Sequence, residues 1–264
     1  MSPTPSVPPA PRVAPNAGHA LGGVWRLTAR RLLAPAQWLP VLALLAGLAV
    51  LASAVIRDGN SRQYFNWAAG FYLTFLLPIM AFLSSGGAIR DDLKSGTVDY
   101  VLTRPVRRPV YLVFKFLSHL VCLQLLCLLG LAVMVGVGGF RHIPDFFPVL
   151  PWLLLGQVIT VTAFAALGFL CGVITSKFLV IGLFYGAIIE AGVGNIPIQL
   201  NRLAMTHHVK AMLEPLLPHA RAGLVADGPL ATTAILLAYA AVMLAAAAVV
   251  FSLQELAGAR PAEA

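Results

Sequence analysis

Charge is scarce in this 264-residue chain. Asp, Glu, Lys and Arg make up 11% of it, under half of the roughly 25% usual in a soluble globular domain. With 59% hydrophobic residues and a mean hydropathy of +0.86, that shortage excludes an ordinary soluble domain and predicts a chain that crosses a membrane several times. Cysteine is scarce too. Cys122, Cys127 and Cys171 all fall in apolar runs and form no Cys-x-x-Cys pair, so they read as packing residues and say little about redox compartment. The phosphate-cradling Gly-x-x-x-x-Gly-Lys-Ser/Thr loop is missing: the four lysines follow Leu93, Phe114, Ser176 and Val209, none of them a glycine. The chain is therefore not expected to hydrolyse a nucleotide itself. No Ser, His and Asp stand together where an active site would form, and Asp91-Asp92 beside Arg90 reads as a solvated salt-bridge cluster rather than an acid–base pair. A net charge of +8 would raise the question of nucleic acid in a soluble domain. Here the bases sit between hydrophobic runs, where membrane surface and topology account for them.

What is there is mostly helix-length apolar sequence. Residues 1–20 are rich in proline, carry only Arg12 as a full charge and lack the pattern of a secretory signal; they are expected to be a disordered tail. Leu21 to Gln37 places Arg26 and Arg30 on one helical face and Leu21, Val24, Trp25 and Leu32 around the other, the pattern of an interfacial helix, ended by Pro35. Six spans follow, judged against the roughly 20 apolar residues that cross a bilayer. Leu39 to Ile56, Phe65 to Ile89, Phe116 to Phe140, Phe146 to Ser176 and Leu230 to Gln254 contain no Asp, Glu, Lys or Arg. The other candidate, Phe178 to about Ile196, is interrupted by Glu190, Gly192 and Gly194 and reads as short, broken or re-entrant.

An even count puts both termini on one side. With the N terminus cytoplasmic, twelve Lys and Arg face the cytoplasm and six the outside, the bias expected of a cell-membrane protein. Residues 257–264 are then a short cytoplasmic tail, and 191–229 is an outer connection too long for a plain turn. Its apolar residues, among them Leu203, Val209, Met212 and Leu213, are cut by Pro197, Pro215 and Pro218 and predict one or two short helices lying at the outer interface or dipping into it. The expected fold class is all-α: a polytopic membrane protein with an N-terminal interfacial helix, six transmembrane helices over 21–256 and a re-entrant segment before the sixth.

Few residues within these runs are polar. Glu190 is an acid inside an apolar run, where an ionisable group must face protein or water; it reads either as a gate or translocation-path residue or as a structural anchor for backbone freed around Gly192 and Gly194. His207, His208 and His219, with Met205 and Met212, match no metal-ligand spacing. They read as polar loop residues, and no metal is expected. His119, Gln124 and Gln157 suit interhelical hydrogen bonds, while Gly168-x-x-x-Gly172 and Gly182-x-x-x-Gly186 suit close helix approach.

One long interval is both densely charged and flanked by membrane-length apolar runs. Arg90 to Lys115 carries Arg90, Lys94, Arg104, Arg107, Arg108 and Lys115 against Asp91, Asp92 and Asp99, and reads as a cytoplasmic docking element. Gly96 lets the chain turn, Thr97 caps a helix starting near Val98, and Asp99 suits the dipole of its first turn. Val98, Val101 and Leu102 form a small apolar face, and Pro105 and Pro109 stop that helix and restart the chain into the third span. A basic juxtamembrane loop holding anionic lipid is the simpler alternative.

Arg90-Asp-Asp-Leu-Lys-Ser-Gly96-Thr97, then Leu102-Thr103-Arg104-Pro105-Val106-Arg107-Arg108 leading to Lys115, resembles the permease subunits of type-two ABC exporters. The order of interfacial helix, six spans and charged connection between spans two and three agrees with that family. The chain departs from it at Lys94-Ser95, where the family often has Glu before Gly-Thr. The resemblance implies that residues 90–110 form a coupling helix set into a cytoplasmic ABC ATPase subunit, with contacts from Asp91, Asp92, Gly96, Thr97, Val98, Asp99, Val101, Leu102, Pro105, Arg107 and Arg108. It further implies a second permease chain, a homodimer or similar paralogue, in the lipid bilayer. ATP and Mg belong on the ATPase; this chain is expected to bind no cofactor or nucleic acid and to be no enzyme. A non-transporting scaffold or mechanotransmission component coupled to an ATPase, and a secondary transporter, are the alternatives. The cargo stays open among lipid, amphipathic drug, peptide and small hydrophobic metabolite.

Overall fold

The structure, a computed structural model, describes residues 17–32, 34–56, 60–94, 107–144, 146–192, 194, 199–213 and 228–253, and the regular structure among them is helical. Helix α1, Ala17–Leu32, leads into α2, Pro35–Val55. Ala34 is extended and Pro35 is the first residue of α2, where its missing N–H and fixed φ are no handicap. Two expectations are corrected here: Pro35 opens the second helix rather than closing the first, and α1 begins inside the tail assigned to 1–20. Asn60 then caps α3, Ser61–Lys94, its side-chain oxygen accepting from the N–H groups of Arg62 and Gln63 at 3.0 and 3.4 Å. Over Ala68–Leu76 this helix widens to π winding. Pro78 follows directly; it has no N–H to give to the carbonyl one turn back and its ring crowds that carbonyl, which the wider turn accommodates.

Helix α4, Arg108–Phe140, opens with Pro109 in its first turn. It closes in a Schellman turn: His142 takes a left-handed φ of 52°, while its N–H bonds the Gly139 carbonyl and that of Ile143 bonds Gly138. After α5, Phe146–Ile174, and α6, Phe178–Gly192, which turns π-helical from Gly186, come a 3₁₀ turn at Gln199–Leu203, α7, Met205–Leu213, and α8, Pro229–Leu253. By length and composition α3, α4, α5 and α8 reach across a bilayer, whereas the apolar part of α2, Leu39–Val55, and α6 are shorter. At about 1.5 Å per residue α6 covers roughly 22 Å, less than a hydrocarbon core of roughly 30 Å. The helix runs through Glu190 to Gly192 without a break there, and the first apolar run is also shorter than a full span.

Helices in lipid gain nothing by hiding apolar surface from one another, so close packing and polar bonds must hold them. A Cβ at Gly168 would lie 2.3 Å from the Phe82 carbonyl oxygen, and one at Gly172 would lie 2.6 Å from that of Gly86; α3 and α5 therefore meet backbone to backbone. The second small-residue pair serves only in part, because Gly182 receives the Phe82 ring while Gly186 faces open space. His119 bonds Ser84 at 3.2 Å, Gln124 donates to the Val158 carbonyl at 2.9 Å, and Tyr72 donates to Gln157 at 2.7 Å. Each joins two helices. Helix α6 is the least embedded: Phe178 is its buried residue, while Leu179, Val180, Leu183, Phe184 and Ile188 are exposed.

Candidate functional site

The charged segment leaves the bundle at the end of α3, Lys94, and returns at the start of α4, Arg108. Both ends are fastened by one carboxylate. Asp92, on the last turn of α3, is 2% exposed. Its Oδ2 accepts from the Lys115 ammonium at 2.7 Å and from the Tyr111 hydroxyl at 3.1 Å, and its Oδ1 accepts from the Arg31 guanidinium at 3.2 Å. Arg31 reaches on to Asp91 at 2.9 Å, and the Lys115 ammonium also donates to Thr28 at 3.3 Å. Tyr111 and Lys115 are one turn apart on α4, and Thr28 and Arg31 are one turn apart on α1, so each helix offers a matched pair to the acid. The two bases and two acids balance, and removing either partner of a buried pair leaves a charge with no compensation.

The position of Asp92 corrects the solvated cluster expected at Asp91-Asp92. Only Asp91 is surface-exposed, about half so, and the cluster's bases come from α1 and α4 rather than from Arg90. Arg107 is exposed beside the first turn of α4, which Arg108, half-buried, begins. Gly96, Thr97, Val98, Asp99, Val101, Leu102 and Pro105 lie outside the described residues. Sequence reasoning passed over Arg31, Thr28 and Tyr111. The available signal was Lys115 itself, a cation in an apolar helix that must find an acid, with a tyrosine one turn before it.

Along the middle of α3 a cavity of about 560 Å³ opens between α3, α5, α6 and α7. Both π-helical stretches border it, through Gly70, Thr74 and Phe75 on one side and Gly186, Ala187 and Glu190 on the other; π turns recur at functional sites. Pro78, Phe82, Leu167 and Leu183 make the body of the cavity apolar. Glu190 accepts from four donors. Its Oε1 accepts from the Tyr185 hydroxyl at 2.8 Å and the Met205 N–H at 3.0 Å, and its Oε2 from the Thr206 N–H at 3.0 Å and the Thr206 hydroxyl. The freed backbone it satisfies is the first turn of α7, which suits a negative charge, rather than that around Gly192 and Gly194. His207 and His208 are buried within α7, not loop residues: a ring nitrogen of His208 bonds the Arg202 carbonyl at 2.8 Å. His219 lies outside the described residues. Among the described residues no three His, Cys, Asp or Glu converge.

The arrangement thus has a charged, fastened end and an apolar cavity along the same helix, α3. The family profile described as ABC-2 family transporter protein matches residues 36–256. Comparison with individually curated proteins gives no match.

Proposed function

The chain belongs to the ABC-2 family transporter proteins, and from that premise we propose that it is the permease subunit of an ATP-binding cassette exporter, worked by a separate cytoplasmic ATPase docked on residues 90–110. The observation that carries this reading is the fastening of α1, α3 and α4 on Asp92 at both ends of that segment. A push delivered there moves three helices as one body. Gly96, Thr97, Val98, Asp99, Val101, Leu102 and Pro105 supply the docking face, with Arg107 and Arg108 as its basic rim and Asp91 as its exposed acid; Asp92 works behind them. ATP and Mg stay on the ATPase, and this chain neither hydrolyses nucleotide nor holds a cofactor.

In this reading α2 and α6 complete six spans in the cell membrane, with both termini cytoplasmic and α7 as the re-entrant element on the outer side. A second copy or a similar paralogue meets the exposed face of α6. Motion of α3, passed to α5 across their glycine contact, changes the width of the cavity against the lightly held α6. Glu190 then acts in the gate by tying α7 to α6, so that the outer end follows the same stroke.

Co-purification tests the reading. Val101→Asp with Leu102→Asp is expected to remove the ATPase from the complex and abolish ATP-dependent transport in vesicles. A stable complex despite both substitutions would overturn the docking model, and an ATPase complex that moves no solute would leave the scaffold reading.

A further inference from the structure

Helix α7 is buried at every position but one. Met205, Thr206, His207, His208, Val209, Ala211, Met212 and Leu213 are all covered, and Lys210 alone is exposed. One turn after Thr206, it stands with that residue on the wall of the 560 Å³ cavity. The nearby acid, which also lines the cavity, is not paired with it. The Glu190 oxygens are taken by two backbone N–H groups and two hydroxyls, and among the described residues no carboxylate lies within ion-pair distance of the Lys210 ammonium. An ammonium with no ion-pair partner among the described residues thus stands on the wall of a cavity whose body is Phe75, Pro78, Phe82, Leu167 and Leu183. The volume lies within the roughly 300–1,000 Å³ of small-molecule sites.

We infer that the cargo is an amphiphile with an anionic head, phosphate or carboxylate, bound by Lys210 with its apolar tail lying between α3 and α6. This rests on the transporter reading above and names the substrate class of the same cavity. An ammonium amphiphile of equal length meets Lys210 as a like charge and finds the Glu190 oxygens already taken by Tyr185, Met205 and Thr206, and a neutral one forgoes the ion pair; selection is by head charge, while the tail contacts tolerate variation in shape.

The test uses the full chain in nanodiscs of uncharged phosphatidylcholine, with diazirine-bearing dodecyl phosphate as probe and the matching dodecylammonium as its counterpart. Dodecyl phosphate is expected to label α3 and α6, with competition by unlabelled dodecyl phosphate and laurate but not by dodecylammonium. Lys210→Ala weakens that binding roughly ten- to hundred-fold, the range of one charge-assisted bond; Lys210→Arg keeps it, and Lys210→Glu turns the preference to dodecylammonium. Because Lys210 is exposed, these variants keep the packing of α7, checked by an unchanged size-exclusion profile. Equal labelling by both probes, or a preference unmoved by Lys210→Glu, overturns the inference. So does displacement of the probe by phosphatidylglycerol when neither is moved by ATP and the partner ATPase, for the occupant is then a resident bilayer lipid. ATP-dependent transport that ignores head charge overturns this inference and leaves the transporter reading standing. Charge-selective binding with no ATPase partner supports the anionic site and removes that reading.

Discussion

Replacing Lys115 with Met keeps the length of the side chain and removes its charge. Asp92, 2% exposed in the parent, keeps the Tyr111 hydroxyl and half-exposed Arg31 among its partners. Breaking a buried pair costs about 3–5 kcal/mol, and the surviving contact with Arg31 places the loss near the lower limit, about 3 kcal/mol, or roughly a hundredfold in the folding equilibrium. Asp92→Asn in the same chain gives Tyr111 and Arg31 a neutral acceptor and leaves no stranded charge. The double variant is therefore expected to recover to within about 1 kcal/mol of the parent, since a neutral replacement of a buried pair costs little. Stability is read by denaturant titration of the purified protein, and function by ATP-driven vesicle transport with the ATPase present. Transport is expected to stay low in the double variant even though stability returns, because the ion pair that fastened α3 to α4 is gone and only weaker neutral bonds hold the three helices together. Lys115→Met as stable as the parent, or strict additivity of the two substitutions, would refute a buried pair. Full transport in the double variant would refute its part in coupling.

The packing of α3 on α5 predicts that Gly168→Ala, whose Cβ meets the Phe82 carbonyl oxygen at 2.3 Å, costs about 3 kcal/mol, the upper end of overpacking effects. Gly186→Ala meets nothing within 4 Å and should be neutral or slightly stabilising, so the pair of melting curves checks the contact directly. Glu190→Gln turns one of the two acceptor oxygens into a donor, opposite the N–H of either Met205 or Thr206, and should destabilise the docking of α7 by about 2 kcal/mol. Hydrogen exchange at Met205–Leu213 would rise, and transport would fall with it; unchanged exchange would refute the anchoring role.

Most of the helical frame was legible because its signals are local. Apolar runs of span length gave the positions of α3, α4, α5 and α8, and Gly192, read among the interrupting residues, is the last residue of α6. The ends were less legible. Pro35 has the same meaning to a preceding helix as to a following one until the backbone of Ala34 is known. The π winding of α3 has no residue signature of its own. Asp91 and Asp92 are adjacent on a helix and therefore point about 100° apart, and nothing near them in the chain says which faces inward. That is settled by Arg31 and Lys115, which arrive from other helices. Glu190 was ambiguous for the same reason, its backbone partners lying in a helix that starts well after it. Gly168 and Gly182 began equally plausible small-residue pairs, and only the neighbouring helix distinguished the closed one from the open one.

The charges that clamp α1, α3 and α4 are all internal to this chain, and this separates two jobs that a permease must do at one place. On the docking proposed above, residues 95–106 could be rewritten to suit a different motor without disturbing the joint, because Asp92, Lys115 and Arg31 lie outside the stretch that would change. The Asp92 joint would then make that stretch an exchangeable fitting on a fixed mount.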